Sequence, residues 1–307
     1  MKTIKNIVKL IIYYIYVALT KHLDFTHYWV LSRKLPIPIW NNNTGQQGNH
    51  CYGNWHAVRN AMGNKFDPHC MIEHGLYFGR YLIEDECTFP GITTIYTFGP
   101  YRQKVLSDYF GTGFDKNILS VGPYLKFSDH LLKESQRMTL KKKWGRMLLV
   151  FPTHSGLDAN VSFDYGKWLS EIECRAKEFD TVVICLFWLD IYNANYRHYL
   201  KKKFKIVCCG NRFDPYFLSR QKDLISISDM TMSNNVGTHV GYCISMEKPH
   251  YIYPQAINVK ALNEWSNDSY VRNRMQEYAE LISVFSEYKE EITDEQRSLV
   301  RYYWGNY

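Results

Sequence analysis

The chain has 307 residues, 46% hydrophobic and 22% charged, which excludes extended disorder and suits one large globular domain or two of ordinary size. A formal net charge of +7 draws phosphate-bearing partners: nucleotides, nucleic acid or anionic lipid. No zinc finger, helix-turn-helix or basic-region pattern is present, so nucleic acid is not expected as a partner.

Residues through Lys34 read as helical. Ile4, Ile7, Val8, Ile11, Ile15 and Ala18 share one stripe of that helix, and Lys2, Lys5 and Lys9 share another. The apolar run Ile7–Leu19 falls short of the roughly 20 residues a bilayer span takes, and no small-residue cleavage site follows it. Two readings stand level. The helix lies on the anionic cytoplasmic face of a membrane, or it packs on its own domain. A loop follows over Leu35–Cys51, rich in Pro, Asn and Gly. Then come a helix at Trp55–Met62, a strand at Pro68–Glu73, and a strand within Gly91–Phe98. A helix opens at Pro100, where proline suits the first turn, and runs to Phe110. Asn117–Val121 is the next strand.

The stretch Ser128–Trp144, dense in Lys, Glu and Arg, reads as a break. Beyond it the alternation is regular. Strands are expected at Arg146–Phe151, Thr181–Trp188, Phe204–Cys209, Leu224–Ser228 and His250–Tyr253. Helices are expected at Phe163–Glu178, Asn195–Lys202, Pro215–Arg220, Val236–Met246, Asp268–Tyr288 and Thr293–Tyr303. Such alternation implies parallel sheets covered on both faces. The expected fold is α/β, two Rossmann-like domains facing across a cleft, spanning residues 1–143 and 144–307.

Eight cysteines occur without a C-x-x-C pair, several in apolar runs such as VVICLFW around Cys185. They read as reduced, buried thiols of a cytoplasmic protein. Adjacent Cys208 and Cys209 should point to opposite faces of a strand. The 25 Tyr and 8 Trp suit a sugar cleft, though composition alone favours an ordinary aromatic core.

In open parallel sheets, ligands bind beyond the carboxyl ends of strands, and four polar motifs fall there. Glu73-His74-Gly75 follows the first strand. Either Glu73 or His74 can act as general base, and a single His at a strand end is more often merely hydrogen-bonded. Thr153-His154-Ser155 follows the strand that opens the second half and offers donors to phosphate or sugar hydroxyls. A Ser–His hydrolase is the weaker reading, since no G-x-S-x-G elbow is present. Gly210-Asn211-Arg212 follows KIVCC, and its Arg suits a diphosphate or an ordinary surface loop. The most specific motif is Ser228–Tyr242, SDMTMSNNVGTHVGY. There Ser233 or Asn234 could cap a helix whose first N–H groups face an anion, with Gly237, Thr238 and His239 beside it. No metal motif stands out. Helix N–H groups and Arg212 would then carry the charge of a leaving diphosphate.

IEHG-LYFG, FPTHS and SDMTMSNNVGTHVGY together resemble bacterial two-domain glycosyltransferases of the GT-B type, over residues 50 to 260 and most firmly in the second half. The chain looks most like members serving capsule or lipopolysaccharide O-antigen synthesis. It is distantly similar to polysialyltransferases and CDP-glycerol glycerophosphotransferases. The resemblance implies metal-independent transfer from a nucleotide-sugar substrate, without a cofactor, to a glycan or lipid-linked acceptor. It implies a cytoplasmic enzyme, peripheral on the inner membrane under the first reading of the leading helix. It places Glu73 and His74 on the acceptor side. Thr153, His154, Ser155, Gly210, Arg212, Ser233, Asn234, Gly237, Thr238 and His239 fall on the donor side. The chain departs from the pattern in lacking a clear acid for the donor ribose and in having Ser-Asn-Asn for Ser-Ser. A CDP-polyol phosphotransferase, a non-catalytic nucleotide- or glycan-binding subunit and an epimerase are the competing readings.

Overall fold

Short apolar runs between amphipathic helices can bury both faces of each strand only in covered parallel sheets, and the chain folds this way. The computed structural model describes residues 2–36, 48–79, 84–156, 159–261 and 275–307. Residues 37–47 of the expected loop and 268–274 of the expected late helix lie outside them.

Helix α1 (Lys2–Thr20) leads. Helix α2 (Asn54–Met62) and strand β1 (Cys70–Ile72) follow, then β2 (Thr94–Thr97), α3 (Pro100–Phe110) and β3 (Asn117–Ser120). These strands form a parallel sheet in the order β1-β2-β3. Helix α4 (Glu134–Trp144) leads into β4 (Met147–Phe151). Strand β5 (Ala159–Ser162) leaves the main sheet and pairs antiparallel with β10 (Asn258–Ala261). Next come α5 (Tyr165–Ala176), β6 (Thr181–Cys185), β7 (Lys205–Val207), α6 (Phe217–Ile227), β8 (Met230–Ser233), α7 (Thr238–Ser245) and β9 (His250–Ile252). Helices α8 (Met275–Phe285) and α9 (Asp294–Trp304) close the chain. The second parallel sheet runs β7-β6-β4-β8-β9.

Strand alternation divides the core as a pleat must. Met147, Leu149 and Phe151 enter one apolar cluster, and Leu148 and Val150 enter another. The strand expected to reach Cys209 ends at Val207, and Cys209 and Cys208, just beyond it, still separate between the two clusters. The eight cysteines are all free thiols. The cluster holding Leu149 also holds Ile72, Tyr96 and Phe98 of the smaller sheet. The two halves therefore share a core, a closer union than two domains meeting only across a cleft.

Several expected elements differ, each for a local reason. The first helix ends at Thr20, not Lys34. The Thr20 hydroxyl donates to the Tyr16 carbonyl at 2.8 Å, and Asp24 turns the chain by accepting from the Thr26 N–H at 2.8 Å. The charged break contains α4, whose last turn carries Lys141, Lys142 and Lys143 at the favourable end of the helix dipole. Leu224–Ile227 is the end of α6, not a strand. Its Leu224, Ile225 and Ile227 are buried as a helical face, and the strand begins at Met230. The expected helix near Asn195–Lys202 is a single turn, Arg197–Leu200.

A buried ion pair ties α1 to the end of β7. Arg220 Nη1 lies 2.8 Å from Asp214 Oδ2, with both side chains fully buried. Arg220 also donates to the carbonyls of Thr20, Leu23 and Cys209 at 2.7, 2.7 and 3.1 Å. The Tyr16 hydroxyl reaches Asp214 Oδ2 at 2.9 Å. Gly210 sits at φ 123°, where a Cβ would lie 2.8 Å from that same carboxylate oxygen.

Helix α9 packs back over both sheets. The Trp304 indole N–H donates to the Thr238 carbonyl at 2.9 Å, and the Gly99 N–H donates to the Tyr303 carbonyl at 3.2 Å. Gly241 of α7 lies flat on the Trp304 ring, where a Cβ would come within 2.2 Å of it. Gly241→Ala is therefore expected to cost about 1–3 kcal/mol by overpacking. Trp304→Ala should cost about 3–5 kcal/mol. In the double variant the costs should sum to less than the two singles, because the added methyl then enters the vacated space. Urea midpoints of the four proteins measure all three terms.

Candidate active site

The strand order changes direction beside β4. The chain passes from β4 outward to β6 and β7, then returns to lay β8 on the other side of β4. The region beyond the carboxyl ends of β4 and β8 is where such sheets bind ligands. Thr153 follows β4 and Asn234 follows β8. The Asn234 side-chain oxygen accepts from the Thr153 backbone N–H at 2.7 Å and from its hydroxyl at 2.8 Å. That fixes which end of the amide is oxygen. The amide nitrogen of Asn234, a residue 1% exposed, has no hydrogen-bond partner among the described residues.

Ser233 and Asn234 do not cap α7, contrary to expectation. Ser233 donates to the Asn235 carbonyl at 2.7 Å and lies 3.0 Å from His250 Nε2, while Asn234 is held by Thr153. Helix α7 starts later than expected, at Thr238, with Gly237 at the cap position and no side-chain cap. An uncapped start leaves helical N–H groups to be satisfied from outside the helix.

Thr238 joins this turn to the smaller sheet. Its hydroxyl oxygen accepts from the Leu76 N–H at 3.1 Å, and Gly75 packs against it. His239 stacks on Phe151 with ring centroids 4.9 Å apart and folds close over Gly237. Its Nε2 has no partner among the described residues. Burial first, and the charge of His154 second, lower its pKa to about 3. His154 is exposed and stacks on Phe187 at 4.1 Å. Its Nδ1 lies 3.0 Å from the Ser155 carbonyl, whereas the Ser155 hydroxyl accepts from the Val161 N–H at 3.0 Å. The two side chains form no nucleophile–base pair, which removes the support for a Ser–His hydrolase.

At the end of β1 the two expected bases part company. Glu73 is buried and fully engaged. Arg102 donates to it through Nε at 2.9 Å and Nη2 at 2.6 Å, and the Thr97 hydroxyl donates at 2.5 Å. Its carboxylate is an anchor for α3, not a free base, which corrects that half of the expectation. His74 is half-buried, with the Tyr77 hydroxyl 2.9 Å from Nε2. Burial, then the nearby Arg212 charge, lower its pKa to about 3. Arg212 reaches Cys51 Sγ at 3.5 Å through Nη2, and its Nε has no partner among the described residues. The four motifs thus form one connected set. Arg212 stands beside His74, the His74-Gly75 turn meets Thr238, and Asn234 holds Thr153.

Glu86 was not legible in the sequence. A Cβ on Gly48 would lie 3.1 Å from Glu86 Oε2 and 3.5 Å from His74 Nδ1, so the two groups border one spot. Burial raises the Glu86 pKa to about 7, against the pull of Arg212. Nothing in the acidic run Glu84-Asp85-Glu86 singles it out. Among the described residues no three His, Cys, Asp or Glu side chains converge as a metal site.

No family model matches the chain, and no curated protein sequence matches it. Among solved structures it is similar to S. aureus MnaA in a co-structure with UDP, at 12% identity and TM-score 0.41, over 88% of this chain and 80% of that one. It is similar to UDP-GlcNAc 2-epimerase from Methanocaldococcus jannaschii, at 10% identity and TM-score 0.36, over 89% and 83%. Anabaena HepE in complex with UDP matches at 10% identity and TM-score 0.32, over 65% and 57%.

The buried imidazoles set a pH dependence. His50, His74 and His239 titrate at about 4, 3 and 3 in the fold, against 6.5 in the unfolded chain, and His250 lies well below 6.5. Below pH 6.5 the unfolded chain takes protons that the native state refuses, so this stability is lost as pH falls from 6.5 towards 4. Glu86 opposes them. Its folded value of about 7 exceeds the usual 4.5, so its contribution is lost as pH rises from 4.5 through 7. His56 is lowered as well, and burial raises Asp190 and Asp223 in the same sense as Glu86. With five imidazoles against three carboxyls, net stability should fall on acidification between pH 6.5 and 4.5. His74→Asn should flatten the slope, as read from urea midpoints across that range.

Proposed function

We propose that the chain is a glycosyltransferase. It would move a sugar from a nucleotide-sugar donor to a glycan or lipid-linked acceptor of a bacterial surface polysaccharide, capsule or O-antigen. The observation that carries this reading is the buried Asn234 amide, unpartnered among the described residues, beside the uncapped start of α7 and facing the His74-Gly75 turn. A buried donor without an acceptor is costly unless a ligand supplies one. An amide N–H, first-turn helix N–H groups and the positive end of the helix dipole suit a diphosphate.

In this reading Asn234, Thr238, His239 and Arg212 hold the donor. Thr153 and Ser233 position that turn, and Gly210 and Gly237 let it close on the ligand. His154 and Ser155 line the sugar side. The acceptor oxygen attacks the anomeric carbon, the bond from that carbon to the diphosphate oxygen breaks, and the acceptor proton passes to neutral His74. At a pKa of about 3, set by burial first and Arg212 second, His74 by itself is a weak base. A diphosphate beside Arg212 offsets the cationic charge that depresses it, so donor binding strengthens the base.

Thermal shifts with a nucleotide panel test the donor. Stabilisation by UDP, GDP or TDP supports the proposal, selective stabilisation by CDP or CMP favours the polyol-phosphate reading, and no shift with any nucleotide removes both. His74→Ala should lower kcat about 10²-fold or more with a near-native urea midpoint, and Asn234→Ala should lower it comparably while also costing about 1–3 kcal/mol of stability from the Thr153 donors it leaves unpaired. His239→Ala should likewise abolish transfer. Turnover like the wild type in His74→Ala would end its role as base.

A further inference from the structure

Helix α1 meets the rest of the protein through one face. Tyr13, Tyr16 and Thr20 are buried there, with Tyr16 reaching Asp214 at 2.9 Å and Arg220 donating to the Thr20 carbonyl at 2.7 Å. The opposite face carries Ile4, Ile7, Val8, Ile11, Ile15 and Leu19, each between 50% and 66% exposed. At 3.6 residues per turn these fall within one arc of roughly 160° together with Ile12 and Tyr14. No charged residue of α1 lies in that arc. The packing face and the apolar stripe of α1 are therefore different faces, and the stripe points outward.

Single exposed apolar side chains are ordinary, but a continuous apolar strip along a whole helix marks a docking surface. Lys5 borders the strip on one side and Lys21, just past the end of the helix, on the other, and α1 contains no acidic residue. No described helix is long and apolar enough to cross a membrane. A second copy of the same face would bring its own Lys5 and Lys21 to the seam, with no acid on the helix to pair them. A surface of anionic headgroups over acyl chains matches both features.

We infer that α1 lies flat in the headgroup layer of an anionic bilayer, with Ile7, Ile11 and Ile15 among the acyl chains and Lys5 and Lys21 at lipid phosphates. This rests on α1 alone and stands whether or not the chain transfers sugar. Because the ion pair that anchors α1 also anchors the loop of Arg212, the candidate active site is held at a fixed height above the lipid.

Flotation of the full chain with vesicles of phosphatidylcholine alone, and of equal parts phosphatidylcholine and phosphatidylglycerol, tests the inference. The wild type should bind the anionic vesicles about tenfold or more tighter than the neutral ones, and salt should weaken that preference. Ile7→Glu and Ile11→Glu, on the outward face, should abolish flotation while circular dichroism stays native. Lys5→Glu should erase the anionic preference. Absence of flotation with either vesicle, or flotation indifferent to Ile7→Glu and Ile11→Glu, overturns the inference. So does a lipid-free dimer that Ile11→Glu dissociates.

Discussion

The Asp214–Arg220 ion pair is the constraint on which the rest of the molecule hangs. Removing two charges from water costs several kcal/mol per ion, and only a full set of further hydrogen bonds offsets that. Here three main-chain carbonyls, from Thr20, Leu23 and Cys209, complete the guanidinium. Tyr16 and the Tyr216 N–H, at 2.9 Å each, complete the carboxylate. The five partners come from four stretches of chain. One pair therefore fixes α1, the turn after it, the exit from β7 and the start of α6 together. Arg212 stands two residues from Asp214, so its direction follows from the same arrangement. Glycine at 210 is what lets the carboxylate approach.

Thr238 has a comparable place beyond the carboxyl end of β8. Its hydroxyl oxygen receives the Leu76 N–H, and its carbonyl receives the Trp304 indole N–H. The first residue of α7 is thereby clamped between the turn of the smaller sheet and the last helix. The strand-end groups of the two sheets keep a set spacing because one residue contacts both. Glu73 contributes from beneath. Its bonds to Arg102 hold α3 to the strand end that presents His74.

What could be read in the sequence was what periodicity and strand-end chemistry record. The Pro100–Phe110 helix matched to the residue, β4 followed from the pleat, and the four motifs came together as strand ends should. What could not be read were bonds between distant residues. Arg102 lies 29 residues from Glu73 and claims its carboxylate, so a group that looks like a base is an anchor. Asn234 lies 81 residues from Thr153 and turns to it instead of capping the helix that follows. Leu224–Ile227 is a short apolar run, and such runs suit a buried helix turn as well as a strand. For α1 the stripe was legible, but not that a row of polar-tipped tyrosines, not the isoleucines, would meet the protein.

The seat of α9 on the smaller sheet has its own consequence. Gly99 approaches the end of that helix so closely that a Cβ would lie 2.6 Å from the Gly305 nitrogen and the Tyr302 carbonyl oxygen. Backbone touches backbone there with nothing between. Most packed surfaces can be re-spaced by exchanging a large side chain for a small one, but this junction has no side chain to exchange. Its distance is set by atomic radii alone, which makes it the rigid datum from which the positions of both sheets are measured.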